Sequence, residues 1–374
     1  MMKQLKMVVE HMICHLKVNS LFTKLVDLLI KDRKDENYQG AKELLKEVYA
    51  PVVFSQKKAK REVLHDYNLQ IVIPMYNARK YINNCLDSIL QQETIYTYKI
   101  YLVDDGSTDG TSEQVRQCYH DERICLIYQN NAGAAVARNT ALEVLVADYV
   151  MFVDADDILK NGAISQLLDA AYSNKADVVE GGYEVFQRKV KTRKTHDNEI
   201  VNEACGKLWG FPWAKVISAD LFVDMKFPEK YWYEDTFISY LVYTRCNCAV
   251  TISNIVYSYR KTKSGMSHIR GNDRKILDAF WILNLVLDEM IRRNIPFSQS
   301  IYEQFLISIT TSTKRILYLN KELRRCVLAA YSEILHNHFE QYSTNITSLK
   351  VFEKIIKNND FKKYCYIAIC LENL

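Results

Sequence analysis

Apolar residues along this chain recur in two rhythms, and the change comes near residue 69. Before it the spacing is helical: Leu21, Leu25, Leu28 and Leu29 share one stripe, and a second helical run over 41–49 stops before Pro51. From Leu69 onward, short apolar runs alternate with amphipathic ones. Residues 69–73 read as a buried strand that stops at Pro74. Tyr81, Ile82, Cys85, Leu86, Ile89 and Leu90 then fall on one face of a helix, with Asn77 placed as its N-cap. Runs 100–103, 124–128 and 149–153 read as further strands, with helices over 111–118 and 134–146 between them. Such alternation predicts an α/β fold with a mostly parallel sheet, flanking helices and right-handed crossovers.

Beyond Asp177 the periodicity loosens. Residues 187–194 read as a charged hairpin or loop, and Trp209, Trp213 and Trp232 fall with Pro212 and Pro228 in an irregular stretch. Two late strands, 250–253 and 256–259, end this region. From Asp273 helical periodicity runs onward, broken at Pro296 and near Asn320. The divisions so marked are 1–67, a helical extension with a basic linker; 68–268, the α/β domain; and 269–374, a helical region.

Composition narrows the class without naming it. At 374 residues with 48% hydrophobic and 25% charged content, the chain can bury a substantial core. A net charge of +4 is small for this length and gives no call for a nucleic-acid partner. No uninterrupted apolar run reaches the roughly 18 residues of a spanning helix. The 10 cysteines are scattered, without zinc-finger spacing, and Cys246-Asn247-Cys248 is the tight pair. The start, Met1-Met2-Lys3-Gln4-Leu5-Lys6, lacks a signal peptide's apolar core, so reduced thiols and a cytoplasmic location are expected. Residues 1–30 carry Lys3, Lys6, Lys17 and Lys24 among apolar positions. That suits either a helix packed on the α/β domain or a peripheral contact at the inner face of the cell membrane. Phe280, Ile282, Leu285 and Leu287 suit a helical bundle that shapes an acceptor site or a homo-oligomer interface.

The chemistry-bearing residues stand where strands end. Pro74-Met75-Tyr76-Asn77 follows the first strand and Asp104-Asp105-Gly106-Ser107 the second. Asn131-Ala132-Gly133 through Arg138-Asn139 follows the third, and Asp154-Ala155-Asp156-Asp157 the fourth. Each alone is ordinary turn chemistry. Together they place polar groups along one sheet edge, where open α/β sheets bind ligands. Three carboxylates in four positions at a strand mouth repel one another and resist desolvation unless a cation shares the site.

In these motifs the chain resembles the family-2 glycosyltransferases of the GT-A fold, especially bacterial enzymes that build surface polysaccharides. The carrying segments are Ile71-Val72-Ile73-Pro74-Met75-Tyr76-Asn77, Val103-Asp104-Asp105-Gly106-Ser107-Thr108-Asp109-Gly110, Ala137-Arg138-Asn139, Phe152-Val153-Asp154-Ala155-Asp156-Asp157 and Tyr233-Glu234-Asp235-Thr236. The resemblance covers about residues 68–268. It implies a nucleotide-sugar donor, a glycan or lipid-linked acceptor, and Mg²⁺ or Mn²⁺ as cofactor. Within the donor site it implies that Pro74, Tyr76 and Asn77 line the nucleotide, with Tyr76 stacked on the base. Asp104 and Asp105 would bond base or ribose, Arg138 would steady the site or the diphosphate, Asp154 would meet ribose or metal, and Asp156 would bind the metal. On the acceptor side it implies Asp235 as base in an inverting displacement, Glu234 beside it, and Trp213 and Lys215 as lining. Asp157 either joins the metal site or caps the following helix. Lys263, Ser264 and His268 fall in a segment that closes over the diphosphate in related enzymes.

Two other readings carry different signatures. A sugar nucleotidyltransferase calls for a glycine-rich phosphate loop after the first strand, and 73–77 has none. A non-catalytic nucleotide-sugar or glycan-binding module has no use for Asp235.

Overall fold

A computed structural model describes residues 40–51, 60–187, 189–262 and 274–372. The segments 1–30 and 263–268 singled out above lie outside these. The described chain divides into two compact units, one holding 60–262 and the other 40–51 with 274–372.

In the second unit Ala41–Val48 (α1) packs with the C-terminal helices, and the Trp281 indole donates to the Tyr49 carbonyl at 2.9 Å.

The first unit contains β1 (Val63–Met75), α2 (Ile82–Leu90), β2 (Tyr98–Asp104), α3 (Thr111–Cys118), β3 (Ile124–Tyr128), α4 (Ala134–Ala141) and β4 (Leu145–Phe152). It continues through β5 (Ile158–Leu159), α5 (Ala163–Asn174), β6 (Val178–Phe186), β7 (Val190–Lys194), β8 (Glu199–Val201), β9 (Lys215–Ser218) and β10 (Ala249–Arg260). The sheet runs β3-β2-β1-β4-β9-β6-β10-β5, with β7 on β6 and β8 on β10. Strands β3, β2, β1 and β4 are mutually parallel, while β9 joins β4 and β6 antiparallel. The order reverses beside β1, which has β2 on one flank and β4 on the other. A crevice opens at such a switch point, outside the strands' carboxyl ends.

Local chemistry sets where elements stop. Leu69, Ile71, Val72 and Ile73 are fully buried, as expected of a strand covered on both faces. The strand starts earlier than the apolar run, at Val63, and continues through Pro74, which pairs with Val103. Pro74 stands past the last pair with β4 (Val72 with Phe152), where a missing N–H costs little. The helix expected over 134–146 ends instead at Ala141. Buried Gln70 donates to the carbonyls of Ala141 and Val144 and accepts from Val146 N, fixing the turn that turns helix into strand. The two late strands are one, β10, with register shifts between Thr251 and Tyr257 where Ser253 and Asn254 stand exposed.

The second unit continues with α6 (Asp278–Arg292), α7 (Gln299–Ile316), α8 (Lys321–Phe339), α9 (Thr347–Lys357) and α10 (Phe361–Glu372). Ser298 caps α7 by accepting from Ile301 N, and Asn320 caps α8 by accepting from Leu323 N, so the breaks fall beside Pro296 and at Asn320. No described helix is long and apolar enough to cross a membrane.

Candidate functional site

The loops after β1 and β2 are stitched to each other. Asn77, at φ 50°, accepts from Thr108 N at 2.8 Å and donates its own N–H to Ser107 Oγ at 3.0 Å. Ala78 N donates to Thr111 Oγ1, and Arg79 N to Asp109 Oδ2. Asn77 is therefore a cross-loop tie and not the N-cap of α2, which begins after Tyr81. This tie holds Tyr76 at the sheet edge with its side chain 52% exposed, leaving a ring face open to solvent.

The neighbouring aspartates diverge. Asp105 Oδ1 accepts from Gln129 Nε2 and Ala132 N, and Oδ2 from Gly133 N at 2.8 Å, so Asp105 organises the entry to α4. A carboxylate has about four acceptor sites, and Oδ2 keeps room for one more donor. Asp104, as buried as Asp105, accepts from Ser107 N and Ser112 Oγ inside its own turn.

Beyond β4, the three aspartates separate in role. Asp157 is fully buried, accepting from the Tyr257 hydroxyl at 2.8 Å and Arg260 N at 2.6 Å. It caps no helix and is enclosed against β10. Its carboxyl is pushed well above the usual range by burial, then by Asp154 and Asp156. Asp154 accepts from Arg138 Nη2 at 3.2 Å, and burial raises its pKa against the pull of that arginine. Asp156 forms no ion pair among the described residues. Burial and the Asp154 charge raise it to about 6. Arg260 supports this loop from β10 by donating to the Asp156 carbonyl while its guanidinium lies between the Tyr81 and Phe186 rings.

The residues fit a divalent ion of the kind that needs few protein ligands. Among the described residues no group of three or more His, Cys, Asp or Glu forms a closed metal cage. Mg²⁺ and Mn²⁺ sites that act on phosphates use one or two carboxylates and take the rest from ligand and water. Asp156, half-buried and without an ion pair among the described residues, would supply that donor, with Asp154 two positions before it.

The downstream pair is brought to this edge by α4. Arg138 Nη1 donates to Glu234 Oε1 at 2.7 Å. Asn139 next to it grips the same segment twice, donating to the Phe227 carbonyl at 2.9 Å and accepting from Phe227 N at 2.7 Å. Lys230 and Tyr233 adopt φ of 67° and 65°, uncommon for side-chain-bearing residues, and a helical segment with a π turn at Ile238–Val242 follows. Strained backbone and π turns gather at functional sites. Asp235 opens that segment, and its charge is felt by both Arg138 and Lys215.

Trp213 and Lys215 correct the expectation of an acceptor lining. Trp213 is 8% exposed, stacked on Phe211 at 3.6 Å and on Tyr257 at 4.8 Å, inside an aromatic column. Lys215 is fully buried, ion-paired with Glu180 and donating to the Trp209 carbonyl and the Tyr243 hydroxyl. It thus ties the far end of the Asp235 segment to the sheet. Lys215→Met is expected to cost about 3–5 kcal/mol, read as a lower melting temperature, because Glu180 then keeps only His196 and the Trp209 N–H as partners. Sequence reasoning gave no role to Asn139, Gln129 or Tyr257. Asn139 was visible beside Arg138 and Tyr257 within Tyr257-Ser258-Tyr259-Arg260, whereas Gln129 carries no local signal.

Comparison with known proteins assigns part of the chain to a family. The family model described as "Glycosyl transferase family 2" matches residues 70–229, which hold the exits of β1 to β4 but not Glu234 or Asp235. Residues 70–229 of this chain form a glycosyl transferase family 2 domain. The chain is 30% identical over 226 residues to GlyA of Streptococcus pneumoniae serotype 4, a match covering 55% of the chain but 32% of GlyA. To GlyG of the same organism it is 28% identical over 309 residues, 76% of the chain and 95% of GlyG. Its fold resembles that of S. aureus TarS 1-349, solved with UDP-GlcNAc, at TM-score 0.63 and 19% identity over 81% of the chain and 90% of that structure. That likeness makes the fold GT-A, an α/β sheet with flanking helices.

Proposed function

We propose that this glycosyltransferase moves a sugar from a uridine-diphosphate donor to a hydroxyl of a glycan or lipid-linked acceptor. The transfer inverts the anomeric carbon by direct displacement and serves the building of surface polysaccharide. The observation that carries this reading is the joining of Asp154, behind β4, to Glu234 by one arginine. In this reading that contact brings a donor-side carboxylate near the Glu234–Asp235 pair.

In this reading the open face of Tyr76 stacks on uracil, and Asp105 accepts from the base with its remaining lone pair. Asp156, with Asp154, would hold a divalent ion, which when bound would offset the charge of the diphosphate and of the departing nucleotide. Asp235 takes the proton of the attacking hydroxyl. A carboxylate suffices as base because proton transfer accompanies attack on a carbon with oxocarbenium character. A UDP-sugar donor is supported by the fold likeness to TarS, which was solved with UDP-GlcNAc.

A screen of nucleotide sugars, scored by hydrolysis and thermal shift, tests the donor class. Uridine donors are expected to respond, and a response confined to guanosine donors contradicts the reading. Tyr76→Ala is expected to weaken UDP binding by about 10-fold, the scale of one base–aromatic stack, with the fold unchanged by circular dichroism.

A further inference from the structure

Helix α4 meets two distant segments through one side chain. Arg138 Nη1 reaches Glu234 at 2.7 Å and Nη2 reaches Asp154 at 3.2 Å. The guanidinium is 6% exposed and lies over the Phe227 ring at 5.4 Å, and its Nε has no hydrogen-bond partner among the described residues. All its directional bonding among the described residues therefore goes to two carboxylates, one following β4 and one leading into the Asp235 segment. A planar fork can divide itself this way, whereas an ammonium is a point charge that cannot span both at once. Asn139 fixes the backbone at Phe227, so the segment leading to Glu234 cannot drift freely when the arginine is changed.

We propose that Arg138 is a positioning residue that couples the donor side of the site to the acceptor side, setting the Glu234–Asp235 turn according to the state of Asp154. The inference rests on the donor and base assignments above. A donor drawn up to Asp154 changes what that carboxylate offers the fork, and Glu234 registers the change because it shares the same guanidinium. Sugar transfer is then favoured when the nucleotide is in place.

Trp232 stands just before Glu234, with its ring edge-on to Tyr233 at 6.4 Å, and serves as an internal reporter. Titrating UDP with MnCl₂ into the full chain is expected to change its emission, isolated by subtracting a Trp232→Phe variant. In Arg138→Lys, calorimetry should find UDP affinity within about threefold of the parent while the emission change disappears. The kcat for donor hydrolysis should fall by about 10²-fold with donor KM unchanged, the mark of lost positioning. A merely structural arginine would instead lower melting temperature, affinity and kcat together. An Arg138→Lys protein that keeps both the emission change and kcat within threefold overturns the coupling. If Arg138→Lys does not fold, Glu234→Gln reads the other end of the fork: emission change lost with UDP affinity kept supports the coupling, and emission change kept overturns it. A parental chain that binds no UDP removes the donor reading and this inference with it, an outcome distinct from parental binding beside an unchanged variant.

Discussion

Asp235→Asn is expected to bind UDP within about threefold of the parental affinity and to lose about 10²–10⁴-fold in transfer, the range of a removed general base. The substitution keeps the size and most hydrogen bonds of the side chain but cannot accept a proton. The turn should survive, because its backbone bonds do not involve that carboxylate: Thr236 N donates to the Tyr233 carbonyl at 3.0 Å and Ile238 N to the Asp235 carbonyl at 2.9 Å. Glu234 stays on Arg138. Single-turnover transfer from a donor found by the nucleotide-sugar screen, measured beside calorimetric UDP affinity, separates the two effects. Transfer at the parental rate assigns the base elsewhere, and a parallel loss of UDP binding assigns Asp235 to the donor.

Asp156→Asn should act in opposite directions on binding and on stability. Binding of UDP with Mn²⁺ is expected to weaken by about 100-fold or more, since an amide is a poor ligand for a hard divalent ion. The metal-free protein should nevertheless melt higher. Asp156 has a folded pKa of about 6, raised from 3.8 by burial and then by Asp154. A carboxyl raised in this way contributes stability that is whole below the unfolded value and lost as pH rises through the folded one. At pH 7.5 the parental protein has lost it, and the neutral amide restores it. Discounted for partial exposure, the gain is about 1–2 kcal/mol, or roughly 3 °C, and it should vanish as pH falls toward 4. Nucleotide binding in the parent should weaken below pH 6, because a protonated carboxyl does not ligate metal. A variant that melts lower at pH 7.5 and binds UDP as well as the parent shows that Asp156 is neither crowded by charge nor a metal ligand.

The sheet was legible in the sequence because parallel strands covered on both faces appear as short unbroken apolar runs, as at 69–73 and 149–153. The polar exits after them were legible because strand ends are fixed by the same runs. What could not be read were partners supplied by tertiary contact. Glu180 and Lys215 look like surface residues until β6 and β9 pair and seal them together. Gln70, polar within a buried strand, gave no hint that it ends α4 and starts β4. Asp104 and Asp105 are adjacent and alike, yet the pleat turns one into its own turn and the other toward α4. Arg138 was visible beside the aspartates, but its second partner lies far along the chain, beyond what spacing can reveal.

The most direct measurement is a calorimetric titration of UDP into the full chain, run once with MnCl₂ and once with EDTA. Saturable binding that disappears in EDTA is the expected result. Equal binding in both, or none in either, would contradict a metal-assisted nucleotide-sugar site at Asp154 and Asp156.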